Sequence, residues 1–298
     1  LSQACTVTLA PNTLSNVWII QNSAGNTVTL TQGTGANVVI PNGGIRMVAA
    51  DGAGSGAAVT DVLDVLGGTG NVGLGSGAFG TGLTTGTDNV AIGENAGDAL
   101  TTGSDNTLVG DNAGGATTTG DNNVAIGSAS GDAVTTGNLN TFVGSNAGSA
   151  ASTVSDNTAI GAFAFDAGTG ADNTAVGSGA LGGASNSAAN NTAMGKDAGN
   201  AITTSAHNVL IGHNSGAALT TGGYNVAVGS LTLDAATTAT NNTGVGYAVL
   251  TVNSTGANNT GLGYYALVAN TTGSGNVAVG HEALDANSTG GSNTAIGK

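Results

Sequence analysis

The feature that most constrains this chain is a pentapeptide that returns at almost constant spacing. The pattern Asn-[Thr/Val]-x-[aliphatic]-Gly starts at Asn71 and recurs at Asn89, Asn106, Asn123, Asn140, Asn157, Asn173, Asn191, Asn208, Asn225, Asn242, Asn259, Asn276 and Asn293. The gaps are 18, 17, 17, 17, 17, 16 and 18 residues, then 17 six times, so fourteen copies span 222 residues. Self-similarity at a fixed period means that each copy is one structural unit packed only on its neighbours.

A full unit reads roughly N-T-A-V-G-x-x-A-G-x-A-L-T-T-G-x-D. Asn89–Gly93 (NVAIG) and Asn157–Gly161 (NTAIG) show its first half, and Leu100-Thr101-Thr102-Gly103 and Leu219-Thr220-Thr221-Gly222 its second. Both halves are short, aliphatic or β-branched, and bounded by Gly, Asn or Asp, which predicts two short strands and two tight corners per coil of a β-solenoid. Within NVAIG, Val90 and Ile92 share one face and Ala91 takes the other. Gly supplies positive φ at the corners. The residue before the motif (Asp88, Asp105, Asn122, Asp156, Asp172, Asn190, Asn241, Asn258) is of the type that tolerates the left-handed region. The motif Asn residues, among them Asn89, Asn106, Asn123, Asn140 and Asn157, stack at about 4.8 Å and predict a structural amide ladder. Fourteen coils make a rod on the order of 60 Å long.

Composition agrees with such a rod and excludes other classes. The 298 residues include 54 Gly but only 2 Pro, which rules out a Gly-X-Y triple helix. Charged residues make up 7% and aromatic residues 3%, against the roughly 25% charged residues of ordinary globular chains. The basic residues are Arg46, Lys196 and Lys298 against 17 acidic ones, for a net charge of −14, so neither nucleic acid nor an anionic membrane surface is a partner. No apolar run approaches the roughly 18 residues of a membrane span. Cys5 stands alone, so no disulfide framework or cysteine metal site is expected, and no cofactor is implied.

Small residues recur at the third motif position (Ala91, Ala125, Ala159, Ala175, Gly244, Gly261) and three residues after the motif Gly (Ala78, Ala96, Ala113, Ala147, Ala164, Ala180, Ala198, Ala266, Ala283). Read as apolar faces of a lone rod, they call for burial against identical neighbours about a threefold axis, hence a homotrimer. Residues 1–66 do not follow the period and form a small all-β module, with the solenoid occupying 67–298. Short strands are expected at Thr6–Leu9, Val17–Ile20, Thr27–Thr31, Val38–Ile40 and Arg46–Ala49, turns at Gly25-Asn26 and Asn42-Gly43, and a loop at 52–56. Val59–Leu66 reads as either a helical turn or a strand. The chain stops inside a repeat at Gly297-Lys298 without a polar cap, so a longer parent chain is expected.

The unit N-[TV]-A-[VI]-G-x-x-A resembles the head repeat of trimeric autotransporter adhesins, N-S-V-A-I-G-x-x-S, which implies a trimeric parallel β-roll. It departs from that family in its 17-residue period, against about 14 there, and in lacking a neck motif and a membrane anchor. The stretch Val28–Asn37, continuing through Ile40-Pro-Asn-Gly-Gly-Ile-Arg-Met-Val-Ala-Ala-Asp-Gly52 to Val59, is similar to segments of tail-fibre proteins of tailed phages, especially marine ones. Such fibres also carry N-T-A-V-G repeats beside that module. The resemblance implies a virion fibre that binds itself and other tail proteins and attaches to a host-surface glycan.

Residues for catalysis are sparse. Glu94 and Glu282 are the only glutamates and His207, His213 and His281 the only histidines, and gaps of 16 to 18 leave no insertion to wall a sugar-cleaving cleft, so no enzyme is expected. Gly75–Gly80 matches GxGxxG without a βαβ context. Gly67–Leu74 echoes a calcium nonapeptide once, with Asn in place of Asp. Sequons such as Asn253-Ser-Thr255 follow from the repeat and say nothing of glycosylation. The Asp column (Asp88 with Asp105, Asp156 with Asp172) reads as turn chemistry, with a bound cation as the alternative. The residue after the motif Gly forms a column that includes Lys196, His213, Tyr247, Tyr264, His281 and Lys298. Tyr247, Tyr264 and His281 are the candidate glycan-facing surface, weighed against a ring ladder that only stiffens the rod.

The expectation is therefore an extracellular fibre segment of a virion, a phage tail-fibre shaft engaged in host attachment. The alternative is the head of a bacterial trimeric surface adhesin. An ice-binding solenoid, suggested by Thr84-Thr85, Thr101-Thr102, Thr135-Thr136 and Thr220-Thr221, is the third reading. It is disfavoured because adjacent Thr residues point to opposite faces and the column breaks at Ser152-Thr153-Val154.

Overall fold

The computed structural model describes residues 4–298 apart from 10–12, 14, 24, 35–36, 41, 43–44, 54–56, 58, 66–69, 81 and 184–185. Strand is the regular secondary structure of the described residues. The non-repeating part holds β1 (Cys5–Thr8), β2 (Ser15–Gln21), β3 (Val28–Thr31), β4 (Val38–Ile40), β5 (Ile45–Asp51) and β6 (Val59–Val65). The five expected strands therefore form, and the ambiguous stretch after residue 58 is a strand. Gly25 takes φ 82° in the first expected turn. Gly43, part of the loop at 52–56 and part of the nonapeptide-like stretch lie outside the described residues.

β1 pairs parallel with β3 and β3 antiparallel with β4. β2, β5 and β6 pair antiparallel in that order, and Asp64 and Val65 of β6 then pair with Gly73 and Val72 of β7 (Val72–Leu74). From β7 to β20 (Thr294–Ile296) every neighbour is parallel and in register, one three-residue strand per repeat. Fourteen strands are thus stacked into a solenoid of thirteen turns, and the ribbon is open, with β2 at one edge and β20 at the other.

Each coil has one strand where two were expected. In the L-T-T-G half the N–H groups of Thr101, Thr102 and Gly103 all point at the single carbonyl of Thr118, at 2.9, 3.2 and 3.3 Å. Three donors converging on one acceptor make a bend, whereas a strand ladder needs alternating partners. The Gly that closes this bend, such as Gly103 or Gly120, is absent from the positive-φ residues, so the corner does not use the left-handed region there. The left-handed residues lie elsewhere: just before the motif Asn, at the motif Gly, and two and four residues after it, as in Asp105, Gly110, Asn112 and Gly114.

The alanines thought to form outer faces are inside. Ala91, Ala159 and Ala175 at mid-strand and Ala96, Ala113 and Ala147 after the motif Gly are fully buried within the coil of their own chain. They narrow the coil enough for its two walls to meet, and they give no surface to a neighbour. The inner column runs on through the larger residues Leu108, Phe142 and Leu210, also fully buried, and one continuous core extends from Val134 to Ala283.

Size is balanced from coil to coil. Each large mid-strand residue lies between two glycines that stand four residues after a motif Gly. A methyl group on Gly97 or Gly114 would lie 2.6 Å from Leu108, on Gly131 or Gly148 2.9 or 2.6 Å from Phe142, and on Gly199 or Gly216 2.8 or 2.9 Å from Leu210. Where mid-strand is small, the same position carries the bulk instead: Phe165 beside Ala159 and Ala175, and Leu233, Leu250 and Leu267 along Ala227, Gly244, Gly261 and Ala278. Leu233 and Leu250 adopt φ 53° and 52°, close to the 57–62° of the glycines, so glycine is needed there for space more than for backbone freedom.

Candidate functional site

The motif Asn does more than stack. In every one of the thirteen turns its backbone N–H donates to the Oδ1 of the preceding motif Asn at 2.9–3.1 Å. The side-chain amide of Asn106 also donates to Asn89 Oδ1 and, across the coil, to the carbonyl of Gly120 at 2.8 Å. Asn89, Asn123 and Asn140 repeat this cross-brace to Gly103, Gly137 and Val154. At Asn157 the brace is replaced by a local bond to the Ser155 carbonyl, in the coil shortened to 16 residues. In a dry interior each such bond removes a large desolvation cost, so the column ties strand to bend and coil to coil.

A second, shorter ladder has no counterpart in the sequence reading. Asn270 and Asn287 donate to Asn253 and Asn270 Oδ1, both at 3.1 Å, and Asn253, Asn270 and Asn287 brace Gly256, Gly273 and Gly290. These are the asparagines of three N-[ST]-T sequons, and Asn253 and Asn270 are fully buried. Their signal was the replacement of the inward Leu, Val or Ile by Asn at one fixed place in the unit.

The remaining polar columns mostly serve the rod itself. Thr84, Thr101, Thr135 and Thr220 donate their hydroxyls to the carbonyls of Thr101, Thr118, Ser152 and Thr237, at 2.9–3.1 Å. One of each Thr pair is therefore bound to the next coil, which leaves a single column of free hydroxyls where an ice-binding array needs two. Asp88, Asp105, Asp156 and Asp172 have φ of 59–62°, the turn chemistry expected of them. Among the described residues no three His, Cys, Asp or Glu side chains come together as metal ligands. The glycines of the GxGxxG match face the next coil, where a side chain on Gly75, Gly77 or Gly80 would meet Gly93, Asn95 or Asp98. No helix among the described residues is long and apolar enough to cross a membrane.

Among the described residues two carboxyls are shifted. Burial raises Asp132 above the ordinary carboxylate value, helped by the nearby Asp166 charge and opposed by backbone hydrogen bonds, and its Oδ1 has no hydrogen-bond partner. Burial also raises Asp234, with His213 pulling it back.

The candidate ring column forms. Tyr247 and Tyr264 stack with centroids 5.6 Å apart and planes 15° apart, and Tyr264 and His281 at 5.1 Å and 13°. Their faces are turned on one another and their edges on solvent. Lys196 and Lys298, in the same column, pair with Asp197 and Glu282. A second stack, His207 on Tyr224 at 5.0 Å and 14°, stands at the position before the motif Asn, which the sequence reading assigned to turn residues alone. Tyr265 completes the set, 4.2 Å from Tyr264 and 5.7 Å from Tyr247 and inclined to both by 57–60°. A hydrogen bond to Tyr264 raises its phenol above the usual value.

The outer side of the strands is a uniform, uncharged surface. Val or Thr occupies every first strand position and Leu, Ile, Val or Met every third, fourteen residues in each column and none charged. Ile92, Ile126, Ile160, Met194 and Leu262 are among its exposed members. Comparison with protein-family profiles, with curated proteins and with solved structures finds no match to this chain.

Proposed function

We propose that this chain is a segment of an extracellular fibre, the shaft of a phage tail fibre that takes part in host attachment, and that it works as a homotrimer. The observation that carries the reading is the uncharged strand face. Two columns of uncharged β-branched and aliphatic side chains, with Thr at eight of the fourteen first positions, over about 60 Å make a strip on the order of 600 Å², at the upper end of what soluble monomers leave in water. Three copies packed about a common axis along their strand faces would cover it and double as a stiff rod. The ladders support the same reading, since they tie each coil to the next and suit a part that transmits position and not chemistry. No catalytic constellation is proposed, and the partners are the chain itself, other tail proteins and a host-surface glycan.

The alternative is the head of a bacterial surface adhesin, favoured by the N-T-A-V-G unit alone. The test is electron microscopy with an antibody raised to the solenoid: thin labelled rods on virions are expected. Rods on the cell surface would move the assignment to the adhesin, and a globular particle in the purified protein would remove both.

A further inference from the structure

The outer strand face does not stop where the repeats begin. Val72, exposed on the outer side of β7, pairs with Val65 of β6, Val65 with Ile45 of β5, and Ile45 with Gln21 of β2. Residues directly opposite in a ladder share a face, and that face returns at every second residue along a strand. Ile19 and Val17 of β2 therefore lie on the same face as Val72 and the outer columns of the solenoid. Burial agrees: Ile19 and Val17 are 71% and 57% exposed, whereas Trp18 and Ile20 pack on the core of Leu30, Ile40 and Val48. Strands β3 and β4 thus cover the inner side of this ribbon and leave its outer side open.

Two features call for a cover there. β2 is an edge strand of seven residues without a single charge, and edge strands left in water are commonly guarded by charged side chains or Pro. Its outward side chains are also more exposed than Ile92, Ile126, Ile160, Met194 and Leu262 of the solenoid columns, at 37–47%. The area points the same way. β2, β5 and β6, of seven residues each, add roughly 300 Å² of flat surface to the roughly 600 Å² of the solenoid strip. Stable interfaces bury about 800 Å² from each partner, which the solenoid strip alone does not reach and the continuous face does.

We infer that the outer face of β2 and β5, centred on Val17 and Ile19 with Ala49 and Met47 opposite them, is an interface between copies of this chain. The inference rests on the homotrimer reading and extends it into the non-repeating module. The occupant is a second copy because one paired ribbon carries this face from β2 to β20. Copies related by a threefold axis run in the same direction, so contact along the solenoid brings their β2 and β5 faces together at one level.

The test is sedimentation of the full chain and two variants over a range of concentrations. Ile19→Asp sets a charge in an apolar contact and is expected to weaken association at least about tenfold. Val39→Asp places the same charge on the opposite side of the module, where Val39 is exposed between the buried Val38 and Ile40, and is expected to associate as the parent does. Matching circular-dichroism melts would show that both variants fold. Ile19→Cys and Val39→Cys, each in a Cys5→Ser chain, give a readout without a buried charge: a short bismaleimide is expected to join copies through the first and not through the second. In a parent chain that assembles, unchanged association of Ile19→Asp, equal weakening by Val39→Asp, or no cross-link through Ile19→Cys would overturn the inference and leave this face to a different tail protein. A parent chain that sediments as a monomer would remove the homotrimer reading itself, so the two fail separately.

Discussion

At the scale of single residues, a glycine serves one of two distinct ends. Gly144 closes a strand at φ 135°, and a side chain there would come within 2.5 Å of the Gly161 carbonyl, so backbone and space both demand it. Gly148 has φ 62°, which Leu and Phe also adopt at that place in other coils, and is demanded only by the Phe142 ring. Gly148→Ala should therefore cost about 1–3 kcal/mol by overpacking. Combined with Phe142→Leu it should cost less than the two changes added separately, as read by a denaturation double-mutant cycle. Asp132 gives a pH test. Its folded-state pKa is raised, so its favourable contribution is fully present below the ordinary carboxylate value of 3.8 and is lost as pH rises through the folded value. Asp132→Asn should accordingly raise the melting temperature at pH 7 by about 1–2 °C, a small gain because the carboxyl is partly solvated. The gain should vanish in scans run below pH 3.8.

At the scale of the coil, what holds one turn to the next is amide bonding more than apolar area, because the interior is too narrow for a broad core. Asn140 illustrates the load: it accepts from Asn157, donates to Asn123 and braces Val154. Asn140→Ala leaves buried donors and acceptors unpaired and should lower stability by about 2–4 kcal/mol. Asn293→Ala, at the exposed residue just before the last strand, should lower it by less than about 1 kcal/mol. Hydrogen exchange should show the loss spreading to the coils on either side of residue 140 and fading beyond, as nearest-neighbour stacking requires. If protection is lost uniformly along the rod, the coils do not behave as separable units.

For the molecule as a whole, the proposed trimer needs a face on which copies meet, and with the alanines buried inside the coil the outer strand columns are the face left to propose for it. Ile126→Asp and Ile160→Asp together place two charges on this face, at positions 38% and 42% exposed, without touching the inner core. Light scattering should then report the single-chain mass of 27.9 kDa where the parent chain gives a multiple, with the circular-dichroism spectrum unchanged. A parent chain that is already monomeric would sink the trimer.

Much of this was legible in the sequence because a parallel stack repeats its demands. A motif that must recur once per coil shows its period, its strand and its stacked asparagine directly, and the register of all fourteen strands follows from the spacing alone. The column before the motif was read from its Asp and Asn residues. Leu139, His207 and Tyr224 take the same φ of 59–61° there, so the coil imposes the conformation even on residues that seldom choose it.

What the tertiary structure alone decided was direction and pairing. Alternation says that Ala91 and Ile92 point oppositely, but not which of them points inward. That depends on the width of the closed coil, which admits Ala on one wall only when the wall opposite supplies the bulk. Whether the second half of the unit is strand or bend likewise depends on how three N–H groups share one carbonyl, and that is set by the approach of the next coil. The period belongs to the chain; inside and outside belong to the fold.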